Sequence, residues 1–196
     1  KPAIIEGLKD IKQASLKLEH LVTNLITLSL KEKEKMVIDR KECIMEDLIS
    51  KVLSEFKDEM DEKNINFTEY NYLERRVVYL DSGKLAIVLR NLIDNAIKFN
   101  NNGGKIILTI NIPENNTLCI TVKDTGIGFP IDRAEALMIP FTQADMSTTR
   151  IYGGTGLGLA VVKAIVESHE GKLLINSQEN GGSEFNIVIP DVFQNK

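Results

Sequence analysis

The sequence predicts an α+β fold, in which a long coiled-coil-like helix precedes a two-layer α/β sandwich with a mixed, mostly antiparallel sheet. Three observations lead to this prediction. An apolar heptad occupies residues 3 to about 35, later segments repeat apolar residues at helical spacing, and short segments between them alternate apolar and polar residues as strands do. With 196 residues, 43% of them hydrophobic, the chain is long enough to bury a core.

The first element is a helix with a wide apolar stripe. Its heptad positions and their flanks hold Ile4, Ile11, Leu18 and Leu25, then Gly7, Ala14, Leu21 and Leu28, and finally Leu8 and Val22. A helix of about 30 residues is roughly 45 Å long, so it favours a helical hairpin or a dimeric bundle over a core helix of the same domain. The charged run at 31–35 predicts a hinge, and we therefore expect two parts, residues 1–35 and residues 36–196.

The second part opens with helices and strands in alternation. Residues 36–38 predict a short strand, and residues 45–60 carry the spacing of an amphipathic helix. Residues 65–68 and 77–79 are strand candidates. A further helix is predicted over 81–99, because Asp81 or Ser82 can cap its start and a glycine pair follows its end.

The remaining elements are two hairpins, a loop and a helix. Residues 106–112 and 118–124 alternate apolar and polar side chains and predict an antiparallel pair. Residues 129–153 show little periodicity, which indicates a long loop of the kind that covers binding sites. A helix from about Leu157 to His169 and a last hairpin, formed by residues 172–177 and 185–189, complete the predicted sandwich.

Composition narrows the classes of function. The net charge of −4 argues against general nucleic-acid binding, which needs a basic surface. Cys43 and Cys119 lie in apolar segments, where small buried side chains are expected rather than a disulfide. No apolar run approaches 18 residues and no signal peptide is found, so we expect a cytoplasmic chain, with membrane attachment only through other regions. Because the chain begins at Lys1 inside a helical pattern, we expect it to be a fragment.

A carboxylate ends one predicted strand and is followed by two glycines. Asp124 follows the alternating strand, and Gly126 and Gly128 come next in Asp-Thr-Gly-Ile-Gly. An ionised carboxylate only accepts hydrogen bonds, so it suits an exocyclic amino group such as that of adenine. Glycine lets a flat ligand lie against the backbone. An ordinary turn is the alternative for this motif alone.

Three polar side chains share one face of the helix over 81–99. Asn91 and Asn95 are four residues apart, and Lys98 follows three residues later. Amide oxygens suit Mg²⁺ that keeps most of its waters and takes its other ligands from phosphates, and the lysine adds a positive charge for the same phosphates. A solvated face is the alternative, although two asparagines are costly in a helix.

A glycine-dense segment, residues 153–159, opens the last helix. Backbone N–H groups at a helix start and the positive end of the helix dipole form a phosphate site. A flexible hinge is the alternative. No Gly-Lys-Ser/Thr follows, which excludes a P-loop, and the glycine spacing without a preceding strand excludes the dinucleotide fingerprint.

In this order, the three motifs resemble the catalytic ATP-binding domain of sensor histidine kinases, within the superfamily that includes Hsp90, type II topoisomerase ATPases and MutL. The segments that carry the resemblance are the N box at 91–99, the G1 box at 124–128, the F box at Pro140-Phe141, the G2 box at 154–158 and a late glycine box at 181–185. Residues 148–153 are typical of the kinase branch. Residues 1–35 resemble the second helix of the dimerisation and phosphotransfer hairpin.

The resemblance implies a Bergerat-type ATP-binding fold and a role for each matched residue. Asn95 would hold Mg²⁺, Asn91 would support metal or phosphates, Lys98 would bind phosphate, and Asp124 would accept the adenine amino group. Residues 129–153 would form the ATP lid. The remaining implied residues are Gly126 and Gly128 in the adenine pocket, Phe141 as apolar anchor of the lid, Arg150 at the γ-phosphate, and Gly154, Thr155, Gly156, Leu157 and Gly158 as hinge and phosphate-facing helix start.

The implied reaction transfers the γ-phosphoryl group of ATP to a histidine, for relay to an aspartate of a response regulator in two-component signalling. The parent protein would be a homodimer with a sensor domain upstream. The family's His-Glu/Asp-x-x-x-Pro acceptor is missing here: His20 is followed by leucine, and His169 is explained as a cation at a helix C-terminus. We therefore expect the acceptor upstream of residue 1.

Two other classes of function remain as alternatives. One is an ATP-driven conformational clamp or regulator that transfers no phosphate to protein, which the heptad helix and the run at 148–153 disfavour. The other is a degenerate binding module, which is disfavoured because Asn95, Lys98 and Asp124 are all intact.

Overall fold

The predicted α+β fold is confirmed by a computed structural model, which describes residues 2–73, 77–113, 116–143 and 154–193. Its helices are α1 (Pro2–Glu32), α2 (Met45–Glu62), α3 (Ser82–Lys98), α4 (Ala134–Leu137) and α5 (Gly158–Ser168), with a 3-10 turn at Ile131–Arg133. Its strands are β1 (Lys41–Ile44), β2 (Asn66–Asn71), β3 (Val77–Leu80), β4 (Lys105–Asn111), β5 (Leu118–Asp124), β6 (Lys172–Gln178) and β7 (Gly182–Ile189).

The main sheet has five strands in the order β2-β4-β5-β7-β6. Strands β2 and β4 run parallel, and every other neighbouring pair is antiparallel, so the sheet is mixed and mostly antiparallel. The buried residues alternate along β4 and β5, which places one face of the sheet in the core. Helices α3 and α5 pack on each other and on this face, and β1 pairs with β3 in a separate two-stranded sheet.

Helix α3 starts as its sequence predicts. The Asp81 side chain accepts a hydrogen bond from the Lys84 backbone N–H at 3.0 Å, which satisfies one of the free donors at the helix start. The same carboxylate accepts from the Asp39 backbone N–H at 3.1 Å. The apolar face of α3 is buried, so the polar residues on its opposite side have a fixed position relative to the sheet.

Two predictions about local structure are corrected. The strand predicted at 36–38 is wrong, because residues 35–40 have no regular structure and β1 begins only at Lys41. Met36 packs on the core and Val37 is 76% exposed, so the apolar triplet reflects one anchoring side chain and not a strand. The loop predicted at 129–153 contains the 3-10 turn and α4, because Phe129 and Ala134 are buried and hold this segment on the core.

Helix α1 has two different long faces. The heptad stripe is exposed at Ile11, Leu18, Val22 and Leu25. Polar residues, among them Asn24, are buried on the side that packs against α5. None of the helices in the described part of the chain combines the length and apolar character needed to cross a membrane.

The charge predicted for His169 is also corrected. The imidazole is fully buried, and its Nδ1 lies 2.9 Å from the Ile165 carbonyl oxygen. Because a carbonyl only accepts hydrogen bonds, Nδ1 carries the proton and Nε2 carries the lone pair. Burial lowers the pKa of His169, so the ring at this helix end is neutral. Within the described residues, Nε2 has no hydrogen-bond partner.

Candidate nucleotide-binding site

The polar face of α3 lies against the start of α5. A Cβ placed on Gly158 would lie 2.9 Å from Asn91 Oδ1 and 3.7 Å from Asn95 Nδ2. A Cβ on Gly154 would collide with the Lys98 ammonium group. The two predicted motifs are therefore neighbours in space, and glycine at these positions lets the start of α5 approach the polar side chains of α3 closely.

Helix α5 begins without a side-chain cap. Its N-cap residue is Leu157, which is 1% exposed and makes no capping hydrogen bond. The first N–H groups of α5 are thus available to an external acceptor, and the positive end of the helix dipole adds to their attraction for an anion. Helix α3 differs, since Asp81 caps its start.

The segment before α5 requires glycine at one position in particular. Gly156 has φ +68°, and a Cβ there would lie 2.7 Å from the Thr142 carbonyl oxygen. The Gly156 carbonyl accepts the Phe141 N–H at 2.9 Å, and Gln143 Nε2 donates to the Gly154 carbonyl at 2.8 Å. These contacts join residues 141–143 to the start of the glycine-rich segment.

Asp124 forms the other end of the site, at the end of β5. It is 5% exposed, and its Oδ1 accepts the Gly126 N–H at 2.8 Å. Burial raises the pKa of Asp124 to about 6, while hydrogen bonds from the backbones of Gly126 and Ser183 act in the opposite direction. A carboxylate offers about four acceptor positions, so these bonds leave capacity for a ligand donor.

Backbone contacts restrict the turn after Asp124. A Cβ on Gly126 would collide with the Phe99 carbonyl oxygen, and a Cβ on Gly128, whose φ is +58°, would collide with the Gln178 carbonyl oxygen. The Ile127 N–H donates to the same Phe99 carbonyl at 3.0 Å. The end of α3 and the turn after β5 are therefore held in direct contact.

A buried amide strengthens this connection, and the sequence reading missed it. Asn100 is 3% exposed, its Nδ2 donates to the Lys105 carbonyl at 3.1 Å, and its Oδ1 accepts from Thr125 Oγ1 at 3.3 Å. Thr125 Oγ1 in turn accepts the Lys105 N–H at 2.8 Å. The position of Asn100 directly after the N box was the available signal, but nothing in its spacing indicated burial.

The three polar residues of α3 differ in their partners. Both ends of the Asn91 amide are hydrogen-bonded to Asn24 of α1, a residue that the sequence reading also missed. No described residue makes a hydrogen bond to the Asn95 side-chain amide. Lys98 is half-buried with its Nζ 4.7 Å from the centre of the Phe99 ring, and burial lowers the pKa of its ammonium group.

The other predicted site residues make fewer contacts with the candidate site. The Phe141 ring is 70% exposed, so it does not anchor the segment in the core, and only its backbone contacts Gly156. Thr155 is exposed. Arg150 and the predicted kinase-type run at 148–153 lie outside the described residues, so their roles stay predictions.

A metal ion fits this site only as a companion of phosphates. Across the described ranges, no group of three or more His, Cys, Asp or Glu side chains could hold a metal ion. The neutral oxygen donors on this face of α3 are the amide oxygens of Asn91, which already accepts from Asn24, and of Asn95; such oxygens suit a hard cation that takes its other ligands from phosphate oxygens and water. The donor set therefore fits Mg²⁺ bound together with a nucleotide.

The family profile described as histidine kinase-, DNA gyrase B- and HSP90-like ATPase matches residues 80–192. The chain belongs to this family. The resemblance to a histidine kinase ATP-binding domain that the motifs predicted is confirmed, together with its fold. The matched range runs from the cap of α3 to the end of the main sheet and includes both ends of the site.

Two curated relatives are sensor or hybrid kinases. The chain is 42% identical over 130 residues to hybrid signal transduction histidine kinase A of Dictyostelium discoideum, which covers 61% of this chain and 6% of that protein. It is 32% identical over 189 residues to sensor histidine kinase RppB of Synechocystis, which covers 96% of this chain and 41% of that protein. The chain thus spans less than half the length of these relatives.

Three solved structures resemble the fold. The histidine kinase AdeS of Acinetobacter baumannii has a TM-score of 0.75 at 28% identity, covering 93% of this chain and 83% of that one. Histidine kinase ThkA in complex with response regulator TrrA has a TM-score of 0.71 at 26% identity, covering 91% of this chain and 49% of that one. Full-length ShkA in complex with AMPPNP has a TM-score of 0.79 at 23% identity, covering 92% of this chain and 37% of that one, which shows a similarity of fold.

Proposed function

We propose that this chain is the ATP-binding catalytic part of a sensor histidine kinase, which transfers the γ-phosphoryl group of ATP to a histidine on a helical hairpin upstream of residue 1. The observation that carries this proposal is the arrangement of three chemically different groups in one site. These groups are the buried carboxylate of Asp124, the amide and ammonium groups of α3, and the uncapped start of α5. Contacts between residues 99–100 and 125–127 join the end of α3 to the turn after Asp124, and α5 packs on α3 at Gly158.

The carboxylate end suits the base of the nucleotide. Asp124 accepts the exocyclic amino group of adenine with the acceptor positions that Gly126 and Ser183 leave open. Gly126 and Gly128 shape the pocket, because a side chain at either position would collide with backbone. A base with an oxygen in place of the amino group would face this carboxylate with an acceptor, so the site prefers adenine over guanine.

The α3–α5 end suits the phosphates. The N–H groups at the start of α5 and the Lys98 ammonium group bind phosphate oxygens, and Gly154 to Gly158 let them approach. Asn95 and Asn91 hold Mg²⁺ through amide oxygens, and Arg150 binds the γ-phosphate. The Mg²⁺ ion supplies neutralisation of the phosphate charge when it is bound. The protein thus catalyses transfer mainly by positioning and charge stabilisation.

Further partners belong to the same proposal. Residues 1–35 are the second helix of a dimerisation and phosphotransfer hairpin and residues 36–196 the catalytic domain, with the exposed heptad stripe of α1 as the dimer contact of the parent protein. A response-regulator receiver domain takes the phosphoryl group, in line with the partner named for ThkA. The working compartment is the cytoplasm, where ATP and receiver domains are available.

A transfer assay tests the proposal. The chain is mixed with radiolabelled Mg-ATP and a separately supplied hairpin that carries the acceptor helix of a related kinase, and acid-labile, base-stable label on the hairpin is measured. We expect label with the wild-type chain and with Asn176→Ala, an exposed asparagine of β6, and none with Asn95→Ala. Turnover of ATP to ADP without label on the hairpin would contradict the proposal and support the clamp alternative.

A further inference from the structure

A reciprocal amide pair joins α1 to the polar face of α3. Asn24 Nδ2 donates to Asn91 Oδ1 at 3.0 Å, and Asn91 Nδ2 donates to Asn24 Oδ1 at 3.2 Å. Asn91 Nδ2 also donates to the Ile87 carbonyl at 2.8 Å. Because that carbonyl only accepts, it fixes which end of the Asn91 amide is nitrogen. The Asn91 oxygen therefore faces an N–H group of Asn24.

The Asn24 side chain is committed to this contact. It is 8% exposed and lies in the C-terminal third of α1, where the neighbouring apolar residue Leu25 is 40% exposed. A polar side chain is thus buried while Ile11, Leu18, Val22 and Leu25 of the apolar stripe face outward. Burial of an amide costs free energy unless its polar atoms are hydrogen-bonded, and Asn91 provides the hydrogen bonds to Asn24.

The rest of the α1 contact is largely polar. Lys31 Nζ lies 3.7 Å from Glu167 Oε2 and 3.5 Å from Ser168 Oγ, both at the end of α5, and the two charged side chains are 40% and 45% exposed. Leu28 adds a partly buried apolar contact. Exposed ion pairs and neutral hydrogen bonds are individually weak, so this contact is of a kind that can open without loss of the core.

We infer that Asn24 is a further residue of the nucleotide–metal site, which acts through Asn91 and opposes metal binding there. The N–H group of Asn24 places a partial positive charge at the lone pair that a cation on Asn91 Oδ1 would use. A cation on this oxygen and the N–H group repel each other, so each weakens the other's interaction with Asn91. The inference rests on the proposed function, because it requires Asn91 to take part in binding Mg²⁺ with the nucleotide.

Docking of α1 and binding of Mg-nucleotide are consequently linked in both directions. Bound Mg-nucleotide weakens docking of the Asn24 side of α1, and undocking of α1 tightens binding of Mg-nucleotide by the same factor. Nucleotide without metal does not need the Asn91 oxygen as a cation ligand, so its affinity is independent of Asn24. This metal-specific effect separates the inferred role from a merely structural one.

The test measures ATP affinity by calorimetry with Mg²⁺ and, separately, with EDTA. We expect Asn24→Ala to tighten Mg-ATP binding about tenfold, within the usual range of such couplings, and to leave affinity in EDTA within about twofold. Leu25→Ala is the matched control, because this neighbouring residue lies on the exposed stripe, and it should change neither value. Equal Mg-ATP affinity of Asn24→Ala and wild type would overturn the inference.

Hydrogen exchange of α1 gives a second readout that needs no variant. Mg-ATP should speed backbone exchange in residues 20–31 of the wild type, whereas ATP in EDTA should not. Slower exchange of this segment with Mg-ATP would overturn the inference, since it would mean that the Asn24–Asn91 pair persists. A wild-type chain that binds ATP under neither condition contradicts the proposed function itself, whereas Mg-tightened binding that is insensitive to Asn24 contradicts only this inference.

Discussion

At the scale of single residues, the proposed base preference of the site depends on Asp124. Its carboxylate is buried at the end of β5 and is only partly satisfied by backbone donors. The pKa of about 6 means that the group is ionised near neutral pH but gains a proton in mildly acidic solution. Base recognition and pH dependence of binding are therefore two consequences of the same burial.

Asp124→Asn should weaken ATP far more than GTP. The amide puts an N–H group close to the amino group of adenine, and losing a hydrogen bond to a charged acceptor costs about 1.5–3 kcal/mol, or roughly ten- to hundredfold in affinity. Calorimetric titration with both nucleotides measures the difference. Wild-type affinity for ATP should also fall below about pH 6, as Asp124 takes up a proton, and this fall should be absent in the variant.

Equal losses of ATP and GTP affinity in Asp124→Asn would remove the adenine assignment. Glu184→Gln serves as the control, because Glu184 lies near the same strand end but pairs with Lys123 at 3.0 Å on the surface. It should leave both affinities unchanged.

At the scale of elements, the approach of α5 to α3 decides whether phosphates have room. The Gly158 position lies within contact distance of the Asn91 oxygen and the Asn95 nitrogen, so any side chain there enters the proposed phosphate site. Alanine is otherwise a good residue for the first turn of a helix, so the helix itself should tolerate it.

Gly158→Ala should reduce ATP affinity at least tenfold with little change in thermal stability, because its methyl group displaces the amides that face the phosphates. Gly83→Ala is a matched control in the first turn of α3, where the new Cβ would meet only Asp81 Oδ1 at 3.4 Å, an ordinary contact. Binding calorimetry and thermal unfolding of both variants provide the measurement. Unchanged ATP affinity in Gly158→Ala would place the phosphates elsewhere.

Most regular elements could be predicted from the sequence because burial in this fold follows local periodicity. The strands β4 and β5 alternate buried and open residues over seven positions each, which the sequence displays directly. Helix α4 has only four residues, too few for a helical period to appear in the sequence. The apolar triplet at 36–38 has the composition of a strand but no regular structure. Short elements anchored by one or two side chains were therefore the ones misread.

The site was predictable where a motif is contiguous and not where partners come from distant segments. The order of the three motifs indicated Asn91, Asn95, Lys98 and Asp124 as neighbours of one ligand. Asn24 could not be predicted, because a heptad pattern is defined by apolar residues and the hydrogen-bond partner of Asn24 lies 67 residues away in the chain. No local sequence pattern indicates a hydrogen bond between side chains that are so far apart in the chain.

At the scale of the whole molecule, α1 presents two surfaces with opposite chemistry. Its apolar stripe is exposed, and its polar side is docked on the nucleotide-binding domain through α3 and α5. Apolar helix stripes associate stably, whereas small polar contacts exchange readily. We therefore expect one face of α1 to serve a lasting helical partner and the other to dock and release.

The pH dependence of stability should show two buried groups acting in opposite directions. The folded pKa of Asp124 lies above its ordinary value of 3.8, so the folded state holds this proton more tightly and unfolding free energy falls as pH rises from about 4 to 6. The rise to about 6 corresponds to about 3 kcal/mol. The folded pKa of His169 lies below its ordinary 6.5, so the unfolded state takes up the proton first and unfolding free energy falls as pH drops below 6.5.

Urea unfolding between pH 7 and pH 5 separates the two contributions. Asp124→Asn removes the Asp124 contribution and keeps that of His169, so relative to the wild type its stability should start higher at pH 7 and decline toward pH 5. In His169→Asn, which keeps an amide donor near the Ile165 carbonyl, stability should rise toward pH 5. Parallel curves for the wild type and His169→Asn would mean that the ring is not buried in its neutral form, whereas opposite slopes of the two variants follow directly from the two burials.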